Sequence, residues 1–140
     1  WATKGSPFRE FFLLHFSGFF DKIKQMQIID KKIKKSEFIK KFLNYFKTVS
    51  KAVVDVEKKI IAADAELQSD LEVILLENGS KQENLCGINL YPLKDKNDFV
   101  EFTSLINIRP HQDNCSMEVE DNDVKEKIKK IIDELIDYES

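Results

Sequence analysis

Apolar residues recur along this chain with two periods, and each change of period marks a new element. Phe8, Phe11, Phe12, Phe16, Phe19, Phe20 and Ile23 return at three- and four-residue spacing, which predicts an amphipathic helix opening at Ser6-Pro7. Residues 27–30 read as a short strand. Ser36 then fits an N-cap with Glu37 in the first turn, and Phe38, Ile39, Phe42, Leu43 and Phe46 form one wide helical stripe. From Lys51 the period falls to 2. Val54, Val56, Ile60 and Ala62 share one parity, opposite Lys51, Asp55, Glu57 and Lys59, with Lys58 marking a bulge. After a turn near Asp64, Leu67, Leu71, Val73 and Leu75 predict a further strand with Gln68, Asp70 and Glu72 on its other side. Asn78-Gly79-Ser80 is a turn. Residues 85–91 form a strand with Cys86, Ile88 and Leu90 on one face and Gly87, Asn89 and Tyr91 on the other. Residues 98–114 read as a long strand running into a polar loop. Val100, Phe102, Ile106 and Ile108 share one parity, Glu101, Thr103, Asn107 and Arg109 the other, and Pro110 ends the ladder. A last helix is capped by Asp121 and carries Val124, Ile128, Ile131, Ile132, Leu135 and Ile136 as its stripe.

These elements predict an α+β fold, β-α-β-β-β-β-α, built as an antiparallel four- to five-stranded meander with two helices on one face and an extra N-terminal helix. Two one-sided helices leave the other sheet face to Asp55, Glu57, Gln68, Asp70, Glu72, Asn89, Tyr91, Asn107 and Arg109. Residues 1–25 are expected to be a Phe-rich extension, an upstream translation or a private addition, and residues 26–140 a single domain that folds alone.

Charge and cysteines narrow the function classes. A net charge of −3 gives no reason to expect nucleic acid. Residues 31–51 carry eight lysines against one acid and residues 118–140 nine acids against four lysines, the pattern of two solvated helix faces. The Phe-rich run is too short to span a bilayer. Cys86 and Cys115 form no metal or redox spacing and suit a reducing cytosol, so the expected location is cytoplasmic and no cofactor or metal is expected.

No GxSxG, P-loop, HExxH or EF-hand pattern is present. The densest run of hydrogen-bonding side chains is the loop beyond Pro110, so Asn107, Arg109, Gln112 and Asn114, with Asn89 and Asp55 on the sheet face, are the candidate ligand residues. A guanidinium offers a planar fork to carboxylate or phosphate, and an amide offers both donor and acceptor. The competing reading is a loop fastened to backbone by its own Asn and Gln, with Arg109 paired to a carboxylate. On strand parity Arg109 stands outside the core, so it is expected to matter for function more than for folding. Two functions stay open. One is a binding module for a small polar ligand or a protein partner; the other is an enzyme on a polar anionic metabolite, using Asp55 or Glu72 with Arg109 as anion clamp. An open, wet sheet face does little to shift a pKa and favours the module. Monomer and homo-oligomer are not distinguished.

At LENGSKQENLCGINLYP and LINIRPHQDNCSMEVED the chain resembles a small family of uncharacterised archaeal and bacterial proteins, a domain of unknown function. Its recurring stretches include KAVVDVEK, ELxxD, LLENGSKQENLWGINLYP and SMINIRPSQGNRSxxVEDPEI, and the likeness runs from about Met26 to Ile136. The resemblance implies a compact α+β domain with an antiparallel sheet and two helices, and no activity. Gln68 stands where members often have His, and Cys86 where Trp is usual. His111, Asp113 and Cys115 replace Ser, Gly and Arg, so a family site that used the His and the Arg would be altered here.

Overall fold

The computed structural model describes residues 27–138; the expected N-terminal helix and the boundary near residue 25 lie outside them. In chain order the elements are β1 (Ile28–Ile29), β2 (Ile33–Lys34), α1 (Lys35–Lys41), β3 (Ser50–Asp55), β4 (Ile60–Ala63), α2 (Gln68–Glu77), β5 (Leu85–Leu90), β6 (Val100–Glu101), α3 (Asn122–Leu135) and β7 (Ile136–Asp137). Five strands form an antiparallel sheet in the order β1-β4-β3-β5-β6, and β2 pairs with β7 in a short parallel ladder. The fold is α+β, as the periodicity implies.

Two local departures rearrange what faces what. Lys58 is no bulge; it sits in the tip of a β3–β4 hairpin. Asp55 Oδ1 accepts from the N–H groups of Glu57 and Lys58, both at 2.9 Å, and Lys59 takes φ 58° to reverse the chain. The hairpin register pairs Val54 with Ile61 and Val53 with Ala62, so strand parity changes across it. Ala52, Val54, Ile61, Ala63, Ile88 and Leu90 face one side, Val53, Ala62 and Leu85 the other, and all are buried. Both sheet faces are therefore apolar and both need a cover.

The second cover is the segment expected as a strand at 67–75, which is helix α2. Leu71 and Leu75 are four apart, on one helical face, and pack on Val53, Ala62 and Leu85. Val73 and Glu72, placed by strand parity on opposite faces, are both half-buried. Helices thus lie on both faces rather than on one. On the opposite face α1 and α3 bring Phe38, Ile128, Ile131 and Ile132 against β3, β4, β5 and Phe99. Each fully buried side chain of this size contributes about 1.5–3 kcal/mol. Asp121 caps α3 through its bond from the Asp123 N–H at 2.8 Å, as expected. The helix at 36–46 is shorter than its stripe. Lys34, not Ser36, is the N-cap, and the helix ends at Lys41 because the Asp64 carboxylate draws the Asn44 and Tyr45 N–H groups into a loop.

The long strand expected at 98–109 is reduced to the two residues of β6. Asn107, not a continuing ladder, completes the edge of β5. Its Oδ1 accepts from the Gly87 N–H at 2.8 Å and its Nδ2 donates to the Gly87 carbonyl at 2.9 Å. One side-chain amide therefore replaces one strand residue. The turn Leu105–Asn107 lies so close over β5 that a Cβ at Gly87 would run into the Ser104 side chain, with Oγ at 2.6 Å. Parity is lost with the ladder. Asn107 and Arg109 are buried, while Leu105 and Ile108 are exposed. Among the described residues no helix is long and apolar enough to cross a membrane.

Candidate ligand groove

The polar loop beyond Arg109 is held from within. Arg109 is 8% exposed; Nη1 donates to the Leu85 carbonyl at 2.5 Å and Nη2 meets Glu72 Oε2 on α2 at 2.7 Å. Its backbone N–H donates to the Asn114 carbonyl at 2.7 Å, closing the loop on itself. Asn114 Nδ2 donates to the carbonyls of Asn107 and Glu118 at 2.7 and 2.8 Å, and its Oδ1 accepts from the Glu120 N–H at 2.9 Å. Gln112 donates to the Glu83 carbonyl at 3.3 Å. The expected placement of Asn107 and Arg109 on an open polar strand face is thus overturned, because backbone groups of β5 and the Glu72 carboxylate draw both inward. Asn107, Arg109, Gln112 and Asn114 do come together, around a pocket of about 190 Å³ beside Cys86. Burial pushes the Cys86 thiol up, and the nearby Arg109 charge offsets only part of that.

Asp55 and Asn89 lie elsewhere. Asp55 is buried at the hairpin, with Oδ2 accepting from Ser80 Oγ at 2.6 Å. Asn89 lies in the middle of a larger groove of about 530 Å³, between the N-terminal end of α2 and the turn at 104–107. The register builds this floor. Lys51 pairs with Asn89, and Asn89 with Glu101, so three adjacent strands place the three side chains in one row on one face. The body of α2 covers the Val53, Ala62 and Leu85 end of that face, and its first residue, Gln68, reaches the row.

Hydrogen bonds fix the amides of the groove in one orientation. Glu101 Oε1 can only accept, so the Asn89 atom 2.8 Å from it is Nδ2. Asn89 Oδ1 therefore faces Gln68, whose Nε2 donates to it at 2.9 Å and to the Ile88 carbonyl at 3.2 Å. The second Asn89 donor goes to the Thr103 carbonyl at 3.2 Å. All donors of both amides are occupied, and Gln68 Oε1 has no partner among the described residues. Glu101 Oε1 also accepts from the Tyr91 hydroxyl at 3.4 Å, whose pKa is raised by loss of water and by the Glu101 charge. The Lys51 side chain has a single partner among the described residues, the Phe46 ring, 5.3 Å from Nζ. The rim is apolar: Leu105 is 70% exposed, Leu67 54% and Met117 40%.

The row of Lys51, Asn89 and Glu101, with Gln68 above it, differs from the residues chosen on sequence, which included only Asn89. The missing signal was strand order. Lys51 and Glu101 both fall on polar parities, but only the β3-β5-β6 adjacency brings them to one floor. Among the described residues no three His, Cys, Asp or Glu side chains are grouped to hold a metal ion.

Residues 27–135 match the model of a family described as a protein of unknown function, DUF5674. No curated protein and no solved structure matches the chain.

Proposed function

Since the chain belongs to the DUF5674 family, whose description carries no activity, we propose from geometry that it is a non-catalytic binding module. Its ligand is a small polar molecule taken into the groove over Lys51, Asn89 and Glu101. The observation that supports this most is the uncovered row itself, a polar strip on an otherwise covered sheet face, bordered by exposed Leu67, Leu105 and Met117. Concave sites with apolar walls and a few placed polar groups are what small ligands use. The loop of Arg109, Gln112 and Asn114 has less support as the contact surface, since Arg109 is buried against Glu72 and the Leu85 carbonyl and Asn114 is held by loop carbonyls. An enzyme based on Asp55 or Glu72 has less support for the same reason: Asp55 is held by the hairpin and Ser80, Glu72 by Arg109. A cytoplasmic place of action, without nucleic acid, belongs to the same proposal. It is supported by unpaired Cys86 and Cys115 and by the net charge of −3.

The test is a ligand-observed NMR screen of charged and zwitterionic small molecules against the full chain, with Lys51→Met and Leu105→Glu as counter-screens. Hits that lose their signal with both variants support the groove. Hits kept by both and lost on Gln112→Ala would move the site to the loop and overturn the proposal.

A further inference from the structure

The groove's lining carries one cation and one anion, Lys51 and Glu101, and the spare hydrogen-bonding capacity around them is asymmetric. At the Lys51 end the ammonium supplies donors without a counter-ion among the described residues. At the Glu101 end the open group is an acceptor. Both bonds to Glu101 fall on Oε1, leaving Oε2, while Gln68 leaves Oε1 on the other side of Asn89. A ligand that completes this set presents an anion at one end and a donor cation at the other. Resting on the groove reading, we propose that the ligand is a short peptide of two or three residues with free termini. Its carboxylate meets Lys51, its ammonium meets Glu101, Gln68 Oε1 accepts from a backbone N–H between them, and its apolar side chains lie on Leu105 and Met117.

Length favours a peptide over a free amino acid. Lys51 and Glu101 are two strands apart, roughly 9–10 Å at the backbone. An extended chain advances about 3.3–3.6 Å per residue, so two or three residues bridge that span, whereas a free amino acid carries both charges on one carbon. The exposed Leu105 and Met117 supply the apolar contact that two charges on an open floor lack.

The experiment is titration of the full chain with trileucine, N-acetyl-trileucine, trileucine amide and octanoate, read by amide chemical shifts. Trileucine is expected to bind, and each blocked form to bind about tenfold more weakly or worse, the loss of one charge-assisted contact. Lys51→Met should bind trileucine and its amide alike, and Glu101→Gln should bind trileucine and the acetylated form alike, at unchanged melting temperature. Blocked forms binding as tightly as free trileucine would overturn the peptide assignment. Octanoate binding that depends on Lys51, with trileucine silent, would overturn the peptide and leave the groove standing. Silence of all four at on the order of 10 mM, weaker than about 3 kcal/mol of binding, would overturn the peptide, and an empty metabolite screen besides would overturn the groove as well.

Discussion

The Arg109 loop and the Lys51 groove are both rich in amides and charge, yet they use them in opposite ways. In the loop, Asn107 stands in for a strand beside Gly87, Arg109 is held by the Leu85 carbonyl and Glu72, and Asn114 closes the loop on the carbonyls of Asn107 and Glu118. In the groove, Gln68 and Asn89 also spend their donors inside the fold, but their alignment leaves Gln68 Oε1, Glu101 Oε2 and the Lys51 ammonium open. A polar side chain that the fold has already paired has less to offer a ligand than one the fold leaves open.

The largest effect is expected at Arg109. Its removal strands the Glu72 carboxylate, whose side chain is 14% exposed, and the Leu85 carbonyl beneath it. Arg109→Ala should cost about 3 kcal/mol, discounted for the remaining exposure, and chemical denaturation measures it. A change below about 1 kcal/mol would return Arg109 to the surface role that its strand parity suggests. Next in size is Gly87→Ala, whose methyl would enter the space of Ser104 and Ile106. Forcing the turn at 105–107 away should cost about 1–3 kcal/mol and expose the amide of Gly87 to hydrogen exchange.

Much of the fold is legible in the sequence, and the failures share one cause. Asp121 announces α3 and the alternation at 85–90 announces β5, because each signal is local. At 67–75 the leucines satisfy period 2 and period 3.6 together, since a spacing of four belongs to both. Tertiary packing on Val53 and Ala62 decides for helix. At 102–109 the alternation is real, but the ladder is replaced by a side-chain amide, and no residue pattern reveals that Asn107 will pair with Gly87. The polar parity of Asn107 and Arg109 misleads for the same reason: partners remote in sequence decide which polar groups are satisfied.

Smaller effects are expected within the loop. Asp113 takes φ 60° at the end of the Pro110–Gln112 turn, a conformation that glycine adopts without penalty. Asp113→Gly should stabilise the chain by about 0.5–1 kcal/mol, seen as a small rise in melting temperature. The smallest effect is a pH response. Glu120 accepts from Ser116 Oγ and from the N–H groups of Ser116 and Cys115, at 2.8, 2.8 and 2.9 Å, and these bonds hold its carboxyl below the usual range. A lowered folded pKa means that the contribution is present above the unfolded carboxylate pKa and is lost as pH falls through the folded one. The Ser116 amide shift should therefore titrate below the ordinary Glu range and stop responding in Glu120→Gln.

The distinction between the two regions is tested most directly by mapping trileucine-induced amide shifts on the full chain. The shifts are expected to cluster at Lys51, Gln68, Asn89, Glu101 and Leu105, with Gln112 and Asn114 unmoved. Shifts centred on Arg109, Gln112 and Asn114, with the Lys51 row silent, would place binding in the loop instead of the groove.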